Sequence, residues 1–326
     1  MSRSRSRSGG RDGQGGPVGV VVVDKPAGWS SHDVVGRCRY LLGTRRVGHA
    51  GTLDPMATGV LVVGVGWATR LLTYLVGHDK EYEATVRLGV STVTDDAEGE
   101  ATGGADASGL PDEAVGSALG ALRGDILQRP SAVSAVKVDG RRSYARVRGG
   151  EDVVLPERPV TVSRLEVVAA RRPGDPAGPP AGCLDLDVVA EVSAGTYVRA
   201  LARDLGDALG VGGHLTALRR TRSGPFGLGD AVEVPGRGAD DAAVDRARQS
   251  LSAAVLDLPA AARRCFAVRE VDEATARRLR HGQRLPAWGT GSQPVAALDP
   301  DGALVGLVVD RDGAARPLLV VPVDGS

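Results

Sequence analysis

Lys80-Glu81-Tyr82-Glu83-Ala84-Thr85-Val86-Arg87-Leu88-Gly89-Val90 alternates along most of its length. Tyr82, Ala84, Val86 and Leu88 fall to one side, and Glu81, Glu83, Thr85 and Arg87 to the other. Successive side chains of a strand point to opposite faces, so this stretch reads as a strand with one buried and one solvated face, and Tyr82 looks inward. Residues 183–193 repeat the pattern with Leu184, Leu186, Val188, Ala190 and Val192. Half-solvated strands belong to antiparallel sheets. The runs Val18–Val23 and Val60–Val65 are apolar throughout and read as fully buried strands.

Helices are expected between these strands. Ser30 and Ser31 are good N-caps, followed by an apolar stripe of Val34, Val35, Cys38, Leu41 and Leu42 that Gly43 ends. Residues 113–123 read as a second helix. After Gly195, Thr196 is expected to cap a third, with Val198, Leu201, Ala202, Leu205 and Leu209 on its apolar side. The fold class that follows is α+β, with a mixed, largely antiparallel sheet flanked by helices.

At 326 residues the chain has room for two domains. Residues 1–16, rich in Arg, Ser and Gly, cannot build a core and are expected to be disordered. A main unit spans 17–231. Within it, 43–59 and the acidic stretch 91–112 are expected as loops, and 124–152 as an exposed basic insertion. A polar linker with room for one helix covers 232–255. A small β-rich unit follows over 256–326, its strands at 293–298, 303–310 and 318–323 separated by Asp299-Pro300-Asp301-Gly302 and Asp310-Arg311-Asp312-Gly313 turns.

Cys38, Cys183 and Cys265 are far apart, which fits neither a disulfide framework nor a metal site and suits a reducing compartment. No run approaches the ~20 apolar residues of a membrane span, and the N-terminus has no apolar core of the secretory kind. The expected address is the cytoplasm. Net charge is zero, yet residues 1–50 hold nine Arg or Lys against three acids, and 121–150 hold seven against two. Residues 91–120 hold seven acids and no base. Such segregation permits a positive face of the kind phosphate backbones require.

There is no phosphate loop, no dinucleotide fingerprint, no Cys/His cluster and no nucleophile elbow. No cofactor and no metal are therefore expected, and carboxylates lead the candidates for chemistry. The loop Arg46-Val47-Gly48-His49-Ala50-Gly51-Thr52-Leu53-Asp54-Pro55-Met56-Ala57-Thr58-Gly59 places one acid among glycines that let a ligand approach, and Pro55 holds Asp54 extended. Spacing alone leaves open a turn in which Asp54 bonds its own backbone. In Gly195-Thr196-Tyr197-Val198-Arg199, a cation in the first turn of a helix stands against the macrodipole, which points to an anion beside Arg199.

Asp24-Lys25-Pro26-x-Gly28-x-Ser30-Ser31, the His49–Gly59 loop, Lys80-x-Tyr82, Pro130-Ser131-x-x-Ser134-Ala135-x-Lys137 and Gly195-Thr196-Tyr197-x-Arg199 occur in that order. Together they resemble the TruB family of tRNA pseudouridine synthases over about residues 17–230. The resemblance implies the pseudouridine synthase fold with a small PUA-like C-terminal domain. It also implies a cofactor-free reaction that turns one uridine, uridine 55 of the tRNA T arm, into pseudouridine. Asp54 would be the catalytic aspartate, attacking the sugar or removing a proton from it. Arg199 would keep it charged, and Tyr82 would stack on the base and assist proton removal.

By the same resemblance His49 props the space left by the flipped base, while Tyr197 and Leu218 line its pocket. Lys25, Thr52 and Lys137 fall among the substrate contacts. The basic insertion becomes a thumb whose Arg141, Arg142, Arg146 and Arg148 hold phosphates; Val147 stands where the family usually has Ala. The implied partner is tRNA, with no guide RNA and no membrane, and a monomer is expected. A non-catalytic RNA-binding protein need not keep Asp54, Tyr82 and Arg199 together. A glycoside hydrolase would require a second acid, which the Asp54 loop does not supply.

Overall fold

The computed structural model describes residues 16–131, 137–138, 141–142 and 155–322. Ten strands make the large sheet: β1 (Gly19–Lys25), β2 (Val47–Ala50), β3 (Thr58–Val65), β4 (Lys80–Leu88), β5 (Gly124–Gln128), β6 (Arg158–Arg171), β7 (Leu184–Val192), β8 (Gly213–Ser223), β9 (Phe226–Gly227) and β10 (Ala231–Glu233). Their order is β10-β1-β3-β8-β4-β7-β6-β5, with β2 on β3 and β9 on β8. Only the β1–β10 and β3–β8 pairs are parallel. The mixed, largely antiparallel α+β architecture is as expected. Among the described residues the α-helices are α1 (Ser31–Leu42), α2 (Asp112–Ala121), α3 (Val198–Ala208), α4 (Asp241–Ala253), α5 (Leu258–Cys265) and α6 (Glu273–Arg280), besides a single turn at Leu72–Leu75.

The two kinds of strand pattern correspond to two kinds of burial. Tyr82, Ala84, Val86 and Leu88 of β4 join the inward residues of β7, Val115 and Leu119 of α2, and Leu201 and Leu205 of α3 in one core. The other face of this part of the sheet is polar, with Arg87 on Asp185 and Thr221 on Glu81. The unbroken runs of β1 and β3 are buried on both faces. Val21, Val23, Leu61 and Val63 pack against Val34, Cys38 and Leu41 of α1 and Val244 and Leu251 of α4. Val20, Val22, Val60 and Val62 pack the opposite way, with Ala261 and Ala262 of α5 and with Ala296, Leu298 and Leu307. Each Val or Leu side chain among them contributes about 1.5–3 kcal/mol relative to exposure.

The last of these residues belong to a second sheet, β11 (Ala267–Glu270), β12 (Leu285–Pro286), β13 (Val295–Leu298), β14 (Leu304–Arg311) and β15 (Ala314–Val320), ordered β11-β13-β14-β15-β12. A shared apolar core thus welds it to the large sheet.

Several local expectations change. The 43–59 loop contains β2, which pairs with β3 from Val47↔Val65 to Ala50↔Val62. Residues 124–128 are an edge strand of the large sheet and not part of a loose insertion. The segment read as a linker holds the one helix it had room for, α4, but that helix packs on α1, and just beyond it Leu256 exchanges two 2.8 Å backbone bonds with Val20. Strands β6 and β8 had no counterpart in the sequence reading. The N-terminal 1–15, Arg146 and Arg148 lie outside the described residues, and at Lys137, Arg141 and Arg142 only the backbone, two short paired strands, is described.

Candidate active site

A cleft of roughly 300 Å³ opens at the centre of the large sheet. Four segments and Val76 line it: Gly51–Asp54 from the loop between β2 and β3, Lys80 and Tyr82 from β4, Gly195–Arg199 at the start of α3, and Leu218 and Arg220 from β8. These strands are neighbours in the sheet, with Tyr82 opposite Ala190 on one side and Arg220 on the other.

The loop bearing Asp54 is tied down on both sides. Ser31 Oγ accepts from Leu53 N–H at 2.8 Å and reaches Leu53 C=O at 3.0 Å. The Pro55 carbonyl accepts from Gly28 N–H at 2.9 Å and from Lys25 Nζ at 3.1 Å. Arg220, fully buried, donates from Nη2 to Gly51 C=O at 3.0 Å and from Nε to Val60 C=O at 2.7 Å. Gly59, whose φ is +98°, lets this strand lie flat on the Arg220 backbone; a Cβ there would come within 2.2 Å of the Arg220 carbonyl oxygen. The Asp54 carboxylate thus projects from a fixed loop and is 37% exposed, open to the cleft.

Its partner is Arg199. Nε lies 3.0 Å from Asp54 Oδ2, while Nη1 donates to Thr94 C=O at 2.7 Å and sits 3.4 Å from Asp96 Oδ2. The guanidinium is 5% exposed and Asp96 only 3%. The anion that the position of Arg199 called for is therefore present twice. Two carboxylates offset both the desolvation of the cation and the unfavourable helix terminus. The helix itself begins differently from expectation: Tyr197, not Thr196, is the N-cap residue, and Thr196 Oγ1 lies against Ser193 Oγ.

The acidic stretch 91–112, expected to be a surface loop, is mostly exposed but turns inward at Asp95 and Asp96. Asp95 and Asp96 are buried, Asp95 faces Arg203 at 3.3 Å, and Thr94 Oγ1 bonds the Asp96 carboxylate. Burial raises the Asp95 pKa against the pull of nearby cations. Glu98 is likewise held up, first by desolvation and then by Asp96 and Asp54. Lys80, buried and donating to Val76 and His78 carbonyls at 3.0 and 2.6 Å, is pushed down to about 8 by burial and by Arg220.

Among the residues singled out from sequence, Asp54, Tyr82, Arg199, Tyr197, Leu218 and Thr52 come together in the cleft. Lys25 does not line it. It is fully buried beneath the Asp54 loop, its ammonium bonded to the carbonyls of Pro26, Trp29 and Pro55. Burial lowers its pKa to about 8, against the attraction of Asp54 and Glu98. His49 is half-buried in β2, outside the lining, with its pKa lowered by burial and by Arg220. Arg220, Asp96 and Ser31 were missed. A polar side chain whose role is to hold a backbone leaves no periodic mark, and the one usable signal was the acid run at 95–98.

Among the described residues no group of three or more His, Cys, Asp or Glu side chains could hold a metal ion, and no helix is long and apolar enough to cross a membrane.

Residues 39–198 match the TruB family pseudouridylate synthase N-terminal domain; 199–254 match the tRNA pseudouridylate synthase B C-terminal domain; and 266–322 match the tRNA pseudouridine synthase II C-terminal domain. The chain is 53% identical over 310 residues to tRNA pseudouridine synthase B of Arthrobacter sp. strain FB24, covering 93% of this chain and 96% of that one. It belongs to the TruB family of pseudouridylate synthases. Membership makes it an isomerase. A second relative, tRNA pseudouridine synthase B of Thermobifida fusca, is 51% identical over 302 residues, covering 93% and 98% of the two chains. The fold of this TruB-family chain also matches a solved Cbf5-Nop10-Gar1 complex at 26% identity and TM-score 0.63, over 90% of this chain and 78% of that one. A Nop10-Cbf5 complex of an archaeal box H/ACA sRNP matches at 24% and TM-score 0.65, over 93% and 86%.

Proposed function

We propose that this chain isomerises uridine 55 in the T arm of tRNA to pseudouridine, with Asp54 as the carboxylate that acts on the nucleoside. The observation that carries the reading is the Asp54–Arg199 pair at the mouth of a cleft walled by Tyr82, Tyr197 and Leu218. A carboxylate that serves as nucleophile or base must be held in place, and a nearly dry guanidinium 3.0 Å away pairs with it and orients it. The volume lies at the low end of small-molecule sites, so a uridine reaches Asp54 only after leaving its stack.

The reaction breaks the N-glycosidic bond, turns the uracil and rejoins it through carbon; the proton on that carbon is lost, the freed ring nitrogen takes one up, and nothing is oxidised. Asp54 attacks the sugar or takes a proton from it. Tyr82 stacks on the base and assists removal of the carbon-bound proton. Tyr197 and Leu218 line the pocket, and Thr52 lies at its rim. His49 props the vacated stack from β2, and Lys25 acts through the loop it holds.

The catalytic unit spans 17–231 and the PUA-like unit 256–326. Lys137, Arg141, Arg142 and Arg148 contact tRNA phosphates, which set affinity more than specificity. The chain acts as a cytoplasmic monomer on tRNA without a guide RNA. The test is to incubate the protein with unmodified tRNA transcript and map pseudouridine, beside Asp54→Asn. Product at uridine 55 that the variant fails to make while still binding tRNA supports the reading. Tight binding without isomerisation by the unaltered protein overturns it in favour of an RNA-binding role.

A further inference from the structure

Gln128 ends the edge strand β5, where its neighbour Leu127 is 68% exposed, yet Gln128 itself is 1% exposed. Its side-chain amide closes a two-point clamp on one backbone unit. Oε1 accepts from Tyr197 N–H at 2.8 Å, and Nε2 donates to Tyr197 C=O at 3.1 Å. Tyr197 is the N-cap residue of α3, has no side-chain cap bond of its own, and lines the cleft. Arg199, two residues on, carries the ion pair to Asp54. The clamp therefore fixes one wall of the cleft and the first turn that aims Arg199.

A second link reinforces the same corner. Arg203, one turn after Arg199 on α3, donates from Nη2 to Arg129 C=O at 2.7 Å and faces Asp95 at 3.3 Å. The backbone leaving β5 is thus bonded to the helix that carries Arg199 and, through Arg203, to the loop that supplies Asp96.

We infer that Gln128 is a positioning residue for the isomerisation: by holding the Tyr197 peptide from both sides it sets where Arg199 meets Asp54. This rests on the function proposed above. A buried amide could serve helix stability alone, in which case its loss would lower the melting temperature and leave the chemistry unaltered in the folded protein. Positioning predicts more, because a displacement near 1 Å at a catalytic group costs up to about a hundredfold in rate.

The discriminating measurement is single-turnover pseudouridine formation in unmodified tRNA transcript under excess enzyme, with tRNA affinity measured in parallel. Gln128→Met fills the space without either bond, and Gln128→Asn keeps the amide one methylene short. The expected result is a rate constant at least tenfold lower in both, with tRNA affinity within threefold and the folded state retained at the assay temperature. Gln128→Glu, which keeps the acceptor for Tyr197 N–H, should recover part of the loss relative to Gln128→Met. Should Gln128→Met not fold, Gln128→Asn alone decides. A lower melting temperature with an unchanged single-turnover rate in the variants overturns the inference. Failure of the unaltered protein to form pseudouridine overturns instead the reading on which it rests.

Discussion

Arg199 meets Asp54 through Nε at 3.0 Å while its Nη1 reaches the Thr94 carbonyl and Asp96. One planar group thereby joins the reactive loop to the buried acidic segment. Arg199→Lys retains the charge but offers a single point in place of the fork. We expect Arg199→Lys to fold, to bind tRNA within about threefold of the unaltered protein, and to lose about a hundredfold or more in single-turnover rate. A rate within threefold would show that charge without direction suffices.

Asp96 makes a separate prediction, because it does not itself line the cleft and reaches it only through Arg199. Its carboxylate is nearly dry, 3.4 Å from Arg199, and accepts from Glu98 N–H at 3.1 Å. Asp96→Ala leaves Arg199 with less compensation in a dry site, where breaking a buried pair costs about 3–5 kcal/mol. A loss of that order in urea unfolding is expected, together with a lower rate; Asp96→Asn, which preserves hydrogen bonding, should lose less stability than Asp96→Ala. Equal stability of Asp96→Ala and the unaltered chain would remove Asp96 from the network.

The sequence made the chemistry-bearing positions more legible than their supports. Alternation located β4 and the inward side of Tyr82 because a half-buried strand sorts its residues by face. The position of Arg199 against the helix dipole called for an anion, and two are there. Most of residues 91–112 lie at the surface, as seven acids without a base over 91–120 suggest, but Asp95 and Asp96 are buried, and tertiary contact with Arg199 and Arg203 makes that burial tolerable. Strands β6 and β8 escaped because bulges shift their registers and break the alternation. Thr196 looked like the cap because Thr is the better capping side chain, but the clamp from Gln128 holds Tyr197 in that place.

Gly59 tests the seam between the Asp54 loop and β8. Its φ of +98° lies outside what side chains favour, and an added Cβ would stand 2.2 Å from the Arg220 carbonyl. Strain and overpacking act together, so Gly59→Ala should destabilise by at least about 2 kcal/mol in urea unfolding. Gly28→Ala supplies the control for backbone conformation: its φ is +77°, but a Cβ there meets nothing within 4 Å, so the loss should be smaller. Equal losses would mean that conformation alone, and not the close approach of Arg220, accounts for the effect.

Lys80 connects stability to pH. Its folded pKa is pushed down to about 8 by burial and Arg220, from 10.5 in the unfolded chain. Below pH 8 both states hold the proton, and the buried cation carries its full cost. Between 8 and 10.5 the folded state has released the proton while the unfolded chain still binds it, so Lys80 makes stability rise with pH across that window, by up to ~1.4 kcal/mol per pH unit. Above 10.5 the cost is gone. In Lys80→Met this contribution is absent, so the stability of the unaltered chain relative to Lys80→Met should improve from pH 8 to pH 10. Lys25, also lowered to about 8, responds in the same direction and is present in both proteins, so it cancels from the comparison. Urea unfolding midpoints at pH 7, 8, 9 and 10 read the difference directly. A flat difference would mean that Lys80 keeps its proton in the folded protein, bound to the Val76 and His78 carbonyls strongly enough to overcome its burial.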